Sequence, residues 1–591
     1  MIGPMTRFRG EGASRGIAIG PAHVVAAKIA VAERRVLRRD RAAEVAHLEE
    51  GITAADEQLD NLQRQLADRK GAGGYLVQAH RLMLRSPEVA GEARRLILEE
   101  CFAAEWAVAR ALNQIRATFA RIQDPYFRER GGDFEAVGER LIRTLLGLPE
   151  LRAGSEAPAG SIAVGTDLAP LDPFHLQAAG VVGIVTEHGG KTSHAAIVAR
   201  ALELPYVVGV KQLAGRVLPG AIVIVDGARG EVVTDPSAEE LQMYRARATA
   251  QRRRDTQLLT EKDLPALTTD GVGIHLRANV ESLLGVASVI ASGAEGIGLF
   301  RTEFLYLERP DLPTEEEQYR DALSVLNAVG GLPVTFRTLD LGGDKLPSAF
   351  RMPEGPNPAL GVRSIRFSLE RPDIFRTQLR ALYRASAAGP MRLILPLVTG
   401  PDELRRALAI CAGVRASLAA EGVAHDPGLP LGIMLETPSA AVTTDLLARD
   451  VDFFSIGTND LIKYAFAADR ENDDVAHLRH PLQPALLRLL KQMIDGAAHA
   501  RLPISICGDM ASDPSLTWLL LGLGLRDLSM DPHSIPMVKA IIRRSSLADA
   551  EALATAALKS ASEQETTRLI QGAMGSQFAA DLEEFLPAAD A

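Results

Sequence analysis

The chain has 591 residues, of which 47% are hydrophobic and 24% are charged, and its formal net charge is −10. One hydrophobic core rarely grows beyond about 250–300 residues, so this length predicts roughly three to four domains. The acidic balance lacks the excess of Lys and Arg that nucleic acid or an anionic membrane would favour, and we expect neither as a partner.

The beginning of the chain and its cysteines indicate the compartment. The first residues, MIGPMTRFRGEGASRG, lack the apolar core of a signal peptide, and no later stretch has the uninterrupted apolar length of a membrane span. The cysteines, Cys101, Cys411 and Cys507, are too widely separated to indicate a disulfide framework or a zinc site. We therefore expect a cytoplasmic protein in a reducing environment.

Residues 33–148 have a helical pattern. Apolar residues recur there at steps of three and four along one face: Leu48, Ile52, Ala55, Leu59, Leu62 and Leu66. Short β-branched runs bounded by Gly and Pro flank the region, with GIAIGPAHVV before it and SIAVGTDLAP, VVGIVTEHGG, YVVGV and AIVIVDG after it. The pattern predicts a helical bundle, residues 33–148, inserted into an α/β domain made of residues 1–32 and 149–234.

One histidine of this α/β domain lies at a turn, in GGKTSHAAIVAR. The Gly189-Gly190 pair lets the backbone bend sharply before Thr192 and Ser193 begin a helix. Neutral imidazole is a nucleophile, and a phosphoryl group on His194 would lie beside the free N–H groups and positive end of that helix. An isolated histidine is more often a hydrogen-bonded structural residue, but the polyanion site predicted in another domain favours the nucleophile.

Residues 235–262 are predicted to form a connector helix. Ser237 precedes Glu240 by the spacing of a capping box, and a mostly charged helical stretch follows. A helix between two domains and a solvated surface helix of either neighbour fit this pattern about equally well.

Residues 263–591 alternate buried-strand candidates with helical stretches. The candidates are VGIHLRANV, GIGLFRTEF, PVTFRTLDL, MRLILPLV, LGIMLETP, DFFSIGTND, PISICGDM and LRDLSMD. Eight β/α units over about 300 residues predict a TIM barrel. Chemically versatile side chains lie at or just beyond the C-terminal ends of these strands, where such barrels build active sites: Asn279, Arg301, Arg337, Glu436, Asn459, Asp460 and Cys507.

These side chains suit a polyanionic substrate. Arg301, Arg337 and Arg363 at one mouth match an anion with several oxygens, although each alone would more often be a surface ion pair. Glu436 and Asp460 supply two hard oxygen ligands, which suits Mg²⁺ sharing its shell with water and substrate phosphate. Cys507 is either a buried apolar residue or a thiol that exchanges a proton at the mouth, and its position favours the second interpretation.

A series of segments resembles, in order, the Enzyme I family of the bacterial phosphotransferase system, the phosphoenolpyruvate-protein phosphotransferases. These segments are GGKTSHAAIVAR, GIGLFRTEFLY, FRTLDLGGDK, NPALGVRSIR, GIMLETPSAA, FFSIGTNDL and CGDMASD, and the resemblance covers nearly the whole chain. It implies that His194 takes the phosphoryl group of phosphoenolpyruvate and passes it to a histidine of the carrier protein HPr, which docks on the helical insert.

The same resemblance implies the roles of the other site residues. Glu436 and Asp460 would hold Mg²⁺, and Cys507 would protonate the enolate to pyruvate. The residues expected to bind the substrate are Arg301, Arg337, Asn459 and Arg470, together with Arg363 and Asp460. Residues 263–591 would also form a homodimer.

Several positions depart from the family pattern, and some alternatives stay open. The departures are Ala169, Lys463, Asp509 and Ser512, and residues 133–147 lack the usual acidic run, which leaves the identity of the carrier open. The sequence shows no N-terminal sensory domain of the nitrogen-branch kind, which favours a sugar-type or minimal form without deciding the branch. A pyruvate phosphate dikinase or phosphoenolpyruvate synthase would need an ATP-binding domain, for which no stretch remains. A regulatory scaffold would need a lost catalytic group, and each mapped group is present.

Overall fold

The computed structural model describes residues 6–25, 31–67, 80–81, 83–120, 125–148, 157–168, 172–190, 193–211, 213, 215–281, 283–306, 311–342, 357–469, 473–579 and 581–582. The chain divides into two compact units, Met1–Asp255 and Thr256–Ala591. None of the described helices is long and apolar enough to cross a membrane.

A mixed sheet forms the centre of the first unit. Its described strands are β1 (Thr6–Arg9), β2 (Glu11–Ser14), β3 (Ile17–Val24), β4 (Ile162–Gly165), β5 (Gly183–Thr186), β6 (Tyr206–Val208), β7 (Ile222–Asp226) and β8 (Glu231–Thr234). They lie in the order β1-β8-β7-β3-β4-β5-β6-β2, and β3 to β6 pair in parallel. The β-branched runs that the sequence singled out form β3 to β7, which confirms the α/β prediction for this unit.

The helices of the first unit include the predicted bundle. They are α1 (Arg41–Ala67), α2 (Glu92–Glu100), α3 (Ala104–Ala120), α4 (Pro125–Leu145), α5 (Asp172–Ala178), α6 (His194–Ala201) and α7 (Ala238–Thr260). The stripe on α1 packs inward, because Leu48, Ile52, Ala55 and Leu59 are fully buried in a core shared with α2, α3 and α4. The side chains of Leu62 and Leu66 lie outside the described residues.

Helix α7 begins with the predicted capping box. The amide of Glu240 donates to Ser237 Oγ at 3.2 Å, and the amide of Ser237 donates to Glu240 Oε2 at 3.0 Å. Its first part is not a free connector, since Tyr244 is buried against the sheet and Arg247 pairs with Asp226 at 2.9 Å. This part therefore packs on the sheet of the first unit, and the helix continues past Asp255, where that unit ends, so both interpretations of the segment stay open.

The α1 stripe gives a stability prediction. Leu48→Ala should lower the free energy of unfolding of the bundle by about 2–5 kcal/mol, because it leaves a cavity in a closed core. The control Leu37→Ala, at a side chain that is 59% exposed, should change it by less than about 0.5 kcal/mol. Urea unfolding followed by Trp106 fluorescence in a Trp518→Phe background measures both, and equal losses would contradict the burial of the stripe.

The second unit contains a closed parallel barrel. Its strands are β9 (His275–Val280), β10 (Ile297–Arg301), β11 (Val334–Arg337), β12 (Met391–Leu395), β13 (Leu431–Leu435), β14 (Phe453–Ile456), β15 (Ile504–Ile506) and β16 (Asp527–Met530). Each of the sequence's strand candidates contributes one of them in chain order, which confirms the TIM-barrel prediction.

Helices surround this barrel in the described part of the second unit. They are α8 (Val286–Ala291), α9 (Glu315–Ala328), α10 (Ile365–Glu370), α11 (Pro372–Ala385), α12 (Pro401–Ala420), α13 (Pro438–Val442), α14 (Thr444–Leu447), α15 (Thr458–Ala465), α16 (Pro484–Ala500), α17 (Thr517–Leu523), α18 (Ile535–Arg543), α19 (Leu547–Ala557) and α20 (Glu563–Phe578).

Strand residues alternate between two cores. Outward-facing side chains such as Leu393 and Ile433 join the large core beneath the helices. Inward-facing apolar side chains form a small separate cluster of Leu299, Ile394, Met434, Phe453 and Cys507. Because successive strand residues point to opposite faces, the polar residues in these strands face the barrel interior, above and below this cluster.

Candidate active site

The C-terminal ends of the barrel strands bring the predicted residues of the second unit to one mouth. Arg301 and Arg337 are the last residues of β10 and β11, while Glu436 and Cys507 directly follow β13 and β15. Asn459 and Asp460 lie just after β14, in the first turn of α15. Parallel strands end on the same face of the barrel, so a local sequence rule is sufficient to gather these side chains.

Arg337 is the buried centre of the site. Its Nη2 donates to Glu303 Oε1 at 3.1 Å, and its Nη1 lies 2.9 Å from Asp340 Oδ2. Burial opposes the charge, but the surrounding carboxylates, first Glu303 and then Asp340, raise the pKa of Arg337 above its ordinary value. The guanidinium is therefore fixed in place and permanently charged.

Asp340 joins Arg337 to Arg363. Nη2 of Arg363 lies 2.9 Å from Asp340 Oδ1 and 3.5 Å from Asp460 Oδ2, and its Nη1 donates to the hydroxyl of Tyr464 at 3.3 Å. Burial raises the pKa of Asp340, but the charges of Arg363 and Arg337 lower it by a larger amount. The pKa of Asp340 therefore lies well below its ordinary value. A chain of ion pairs between side chains thus holds Arg337 and Arg363 at fixed positions.

Two arginines have N–H donors with no partner among the residues that the structure describes. Arg301 forms an ion pair with Glu281, but its Nε is buried and has no hydrogen-bond partner in the described part of the chain. The buried Nε of Arg337 is also without a partner there. An unpaired buried donor costs free energy, and an anion at the mouth would supply the missing acceptor.

Glu436 is a buried acid whose negative charge is disfavoured by its surroundings. Its Oε1 accepts from the amide of Leu397 at 2.5 Å, and burial, followed by Asp460 and Asp340, raises its pKa to about 8. A Cβ on Gly457 would lie 2.5 Å from Glu436 Oε2, so glycine leaves the room in which that oxygen lies. A cation beside Glu436 and Asp460 would relieve the repulsion between them.

The donor set fits a metal that keeps water or substrate in its shell. The described residues contain no group of three or more His, Cys, Asp or Glu side chains that could hold an ion by themselves. Two hard carboxylates are a suitable anchor for Mg²⁺, which prefers to retain several waters or phosphate oxygens, and they are insufficient for a calcium cage.

Cys507 lies beneath the mouth and is 2% exposed. Its thiol donates to the carbonyl oxygen of Ile456 at 3.5 Å, and the side-chain amide of Asn279 donates to the Cys507 carbonyl oxygen at 3.0 Å. Burial raises the pKa of the thiol to about 11. At neutral pH the group is therefore a protonated thiol, which can act as a proton donor and is a poor nucleophile.

His194 belongs to the first unit and is the first residue of α6. Ser193 is the N-cap, and its Oγ accepts from the amide of Ala196 at 3.1 Å, as the sequence predicted. Gly189 has a φ of +109°, the left-handed region in which glycine avoids steric strain. The side chain of His194 lies outside the described part of the chain, as do Arg470 and Ala169, so the structure does not place them.

The remaining departures from the family pattern lie at the edge of the site. The amide of Asp509 donates to Asn459 Oδ1 at 3.0 Å, and Ser512 Oγ accepts from the amide of Asp531 at 3.0 Å. Lys463 lies in the last turn of α15. Asp509 thus supports Asn459 through its backbone, which does not depend on its side chain.

Sequence reasoning missed Glu281, the partner of Arg301, and three residues that pair with Arg337 and Arg363. Glu303, Asp340 and Tyr464 bind the arginines directly. A local signal existed for Glu303 and Asp340, since each follows a strand-ending Arg-Thr pair, in RTE and in RTLD. An acid two or three residues after a strand-end arginine can reach a guanidinium at the same mouth. Tyr464 is distant from Arg363 in the sequence, so only the tertiary structure shows their contact.

Comparison with known proteins connects this site to a family. The chain matches the domain families described as "PEP-utilising enzyme, N-terminal" over residues 9–130, "PEP-utilising enzyme, mobile domain" over 157–230 and "PEP-utilising enzyme, PEP-binding domain" over 255–547. The site residues described above in the second unit lie within the last match.

Curated relatives match over most of the chain. The phosphoenolpyruvate-protein phosphotransferase of Cupriavidus necator is 42% identical over 89% of this chain and 92% of its own. Those of Geobacillus stearothermophilus and Haemophilus influenzae are 41% and 38% identical, over 91% and 95% of this chain and 93% and 97% of their own. With this identity and coverage, and with the three domain families in order, the chain belongs to the phosphoenolpyruvate-protein phosphotransferases, a family of phosphotransferase enzymes.

Proposed function

We propose that this protein transfers the phosphoryl group of phosphoenolpyruvate to its own His194 and then to a histidine of an HPr-type carrier protein, with release of pyruvate. The observation that carries the proposal is the pair of buried guanidinium Nε donors, on Arg301 and Arg337 at the C-terminal strand ends, that have no hydrogen-bond partner among the described residues. Phosphoryl transfer requires mainly positioning and charge neutralisation, which such donors provide.

Each residue at the mouth has a distinct part in this proposal. Arg301 and Arg337 clamp the phosphate and carboxylate oxygens, and Arg363 holds Asp340 and Asp460 in position through its own ion pairs. Asn459 adds a polar contact to the substrate, and Arg470 is a further proposed ligand. Because the arginines are locked by carboxylates before substrate arrives, little reorganisation is needed during the reaction.

Glu436 and Asp460 are the proposed Mg²⁺ ligands. When bound, Mg²⁺ supplies positive charge to the oxygens of the transferring phosphoryl group. The two carboxylates contribute by fixing the ion at the mouth, and Leu397 orients Glu436 through its amide.

The proposed domain organisation follows the predicted boundaries. Residues 1–32 and 149–234 would carry the phosphohistidine, residues 33–148 would dock the carrier, and residues 235–262 would connect to the barrel of residues 263–591, which would form the homodimer. His194 would be the nucleophile toward phosphoenolpyruvate. Once phosphorylated it would be the donor, and its imidazole would leave as the carrier's histidine attacks the phosphorus. A cytoplasmic location stays a prediction of the sequence.

The proposal is tested by incubating the protein with phosphoenolpyruvate labelled in its phosphoryl group, with and without Mg²⁺, and with candidate carriers. We expect acid-labile, alkali-stable label on the protein in the presence of Mg²⁺, little after chelation, and passage of label to one carrier. Labelling from ATP in place of phosphoenolpyruvate, or undiminished labelling in metal-free buffer, would contradict it.

Cys507→Ala should slow pyruvate formation by about 10²–10⁴-fold with a much smaller change in KM, because it removes the proposed proton donor to the enolate. The matched control is Cys411→Ala, since Cys411 is also a buried thiol but lies on α12 beneath the outer core. Because the thiol pKa is near 11, wild-type protonation at carbon should not decline between pH 8 and about 10, as it would for an ordinary cysteine. Equal rates for the two variants would return Cys507 to a purely structural role.

A further inference from the structure

The N-terminal end of the barrel contains a second polar depression, at the opposite strand ends from Arg301 and Arg337. Its lining includes Arg277, Thr335, Arg392, Phe453 and Asp527. All five lie within the first three residues of their strands. Nothing in the proposed phosphotransfer uses this end of the barrel.

The apolar interior separates this depression from the candidate active site. Arg337 reaches the cluster from one side, where its Nη1 lies 3.8 Å from the sulfur of Met434. Arg392 reaches it from the other side, with its guanidinium carbon 5.4 Å from the centre of the Phe453 ring. Met434 and Phe453 both belong to the inward-facing cluster, so an apolar layer lies between the two polar ends.

The depression has more guanidinium donors than carboxylate acceptors. Arg277 uses its Nε for both oxygens of Asp527, at 3.1 and 3.0 Å, and its terminal amino groups have no protein partner within the described ranges. Arg392 has neither an ion pair nor a hydrogen bond to any described residue, and its guanidinium lies over the Phe453 ring. Two arginines and one aspartate leave a net charge of +1.

The surroundings of Arg392 disfavour its positive charge. Burial, and then repulsion from Arg277, lower the pKa of Arg392, and the attraction of Asp527 compensates only in part. A bound anion would offset both effects, since it would supply acceptors to the N–H donors of Arg392, which have no partner among the described residues.

We propose that this depression is a binding site for a small oxyanion, held by Arg392 and the terminal amino groups of Arg277. A guanidinium presents paired donors that match two oxygens of a phosphate, sulfate or carboxylate group. The adjacent Thr335, which pairs in register with Arg392, offers a hydroxyl at the same level. The net charge of +1 would be neutralised by one monovalent anion.

The experiment measures binding of radiolabelled inorganic phosphate to the full chain by equilibrium dialysis at low ionic strength, where screening is weak. Arg392→Gln should bind one phosphate fewer per chain than wild type, while phosphate bound at the opposite mouth persists in both. Arg405→Gln is the matched control, because Arg405 is an exposed arginine on α12 that pairs with Asp402. It should bind the same number as wild type. Equal binding by wild type and Arg392→Gln would overturn the proposal.

A second variant changes the charge in the opposite direction. Asp527→Asn raises the net charge of the depression to +2 and frees Arg277, so the Arg392-dependent phosphate should bind more tightly, whereas damage to the fold would weaken it. Weaker binding by Asp527→Asn in a protein with a wild-type circular dichroism spectrum would also overturn the proposal. Competition with sulfate and acetate identifies the source: displacement by sulfate alone assigns tetrahedral oxyanions, and displacement by both includes carboxylates.

Discussion

His194→Ala is expected to abolish labelling of the protein by phosphoenolpyruvate, with label at background even after long incubation. His194 is the only proposed nucleophile, and alanine at the first position of α6 preserves the helix, because Ser193 still caps it through Ala196. Labelling with phosphoenolpyruvate and Mg²⁺, followed by acid and alkali treatment of the product, measures the effect.

The matched control for this variant is His188→Ala. His188 is an exposed histidine in the same segment and precedes the Gly189 turn. Its replacement should leave labelling near the wild-type level, because its imidazole has no part in the proposed reaction. Acid-labile, alkali-stable label that persists on His194→Ala would show that another residue accepts the phosphoryl group.

Arg337→Gln is expected to lower the rate of labelling by phosphoenolpyruvate by about 10²–10³-fold or more, because it removes a preorganised charge from the phosphate site. It also leaves Glu303 and Asp340 without their shared partner, so the barrel should lose about 3–5 kcal/mol of stability. Initial rates at saturating phosphoenolpyruvate and urea unfolding give the two quantities separately.

A reverse reaction separates loss of the site from loss of the fold. His194 lies in a different compact unit from Arg337, so the variant should still accept label from a phosphorylated carrier at a near wild-type rate. Arg405→Gln serves again as a control and should retain both reactions. Unchanged labelling of Arg337→Gln by phosphoenolpyruvate would place the substrate elsewhere, and loss of both reactions would indicate general damage.

Local patterns in the sequence were sufficient for most of the fold. The barrel strands combine a short apolar run with a polar residue at the end, and the α1 stripe repeats every three to four residues, so each can be recognised without knowing its partners. Strands β1, β2 and β8 escaped recognition. Segments such as TRFR and EGAS are short and polar, and they become strands only by pairing with distant segments, β1 with β8 and β2 with β6.

The sequence by itself also placed Arg301, Arg337 and Glu436 at the barrel mouth, because parallel strands all end on one face, and it determined the family through its ordered motifs. Only the tertiary structure decided how those residues are paired. That Asp340 joins Arg337 to Arg363, and that burial and nearby acids raise the pKa of Glu436 to about 8, depends on contacts between segments far apart in the chain. Charge interactions and burial depend on distances in space. A sequence pattern predicts on which face of a strand or helix a side chain lies, but it does not give the distances between side chains of different segments.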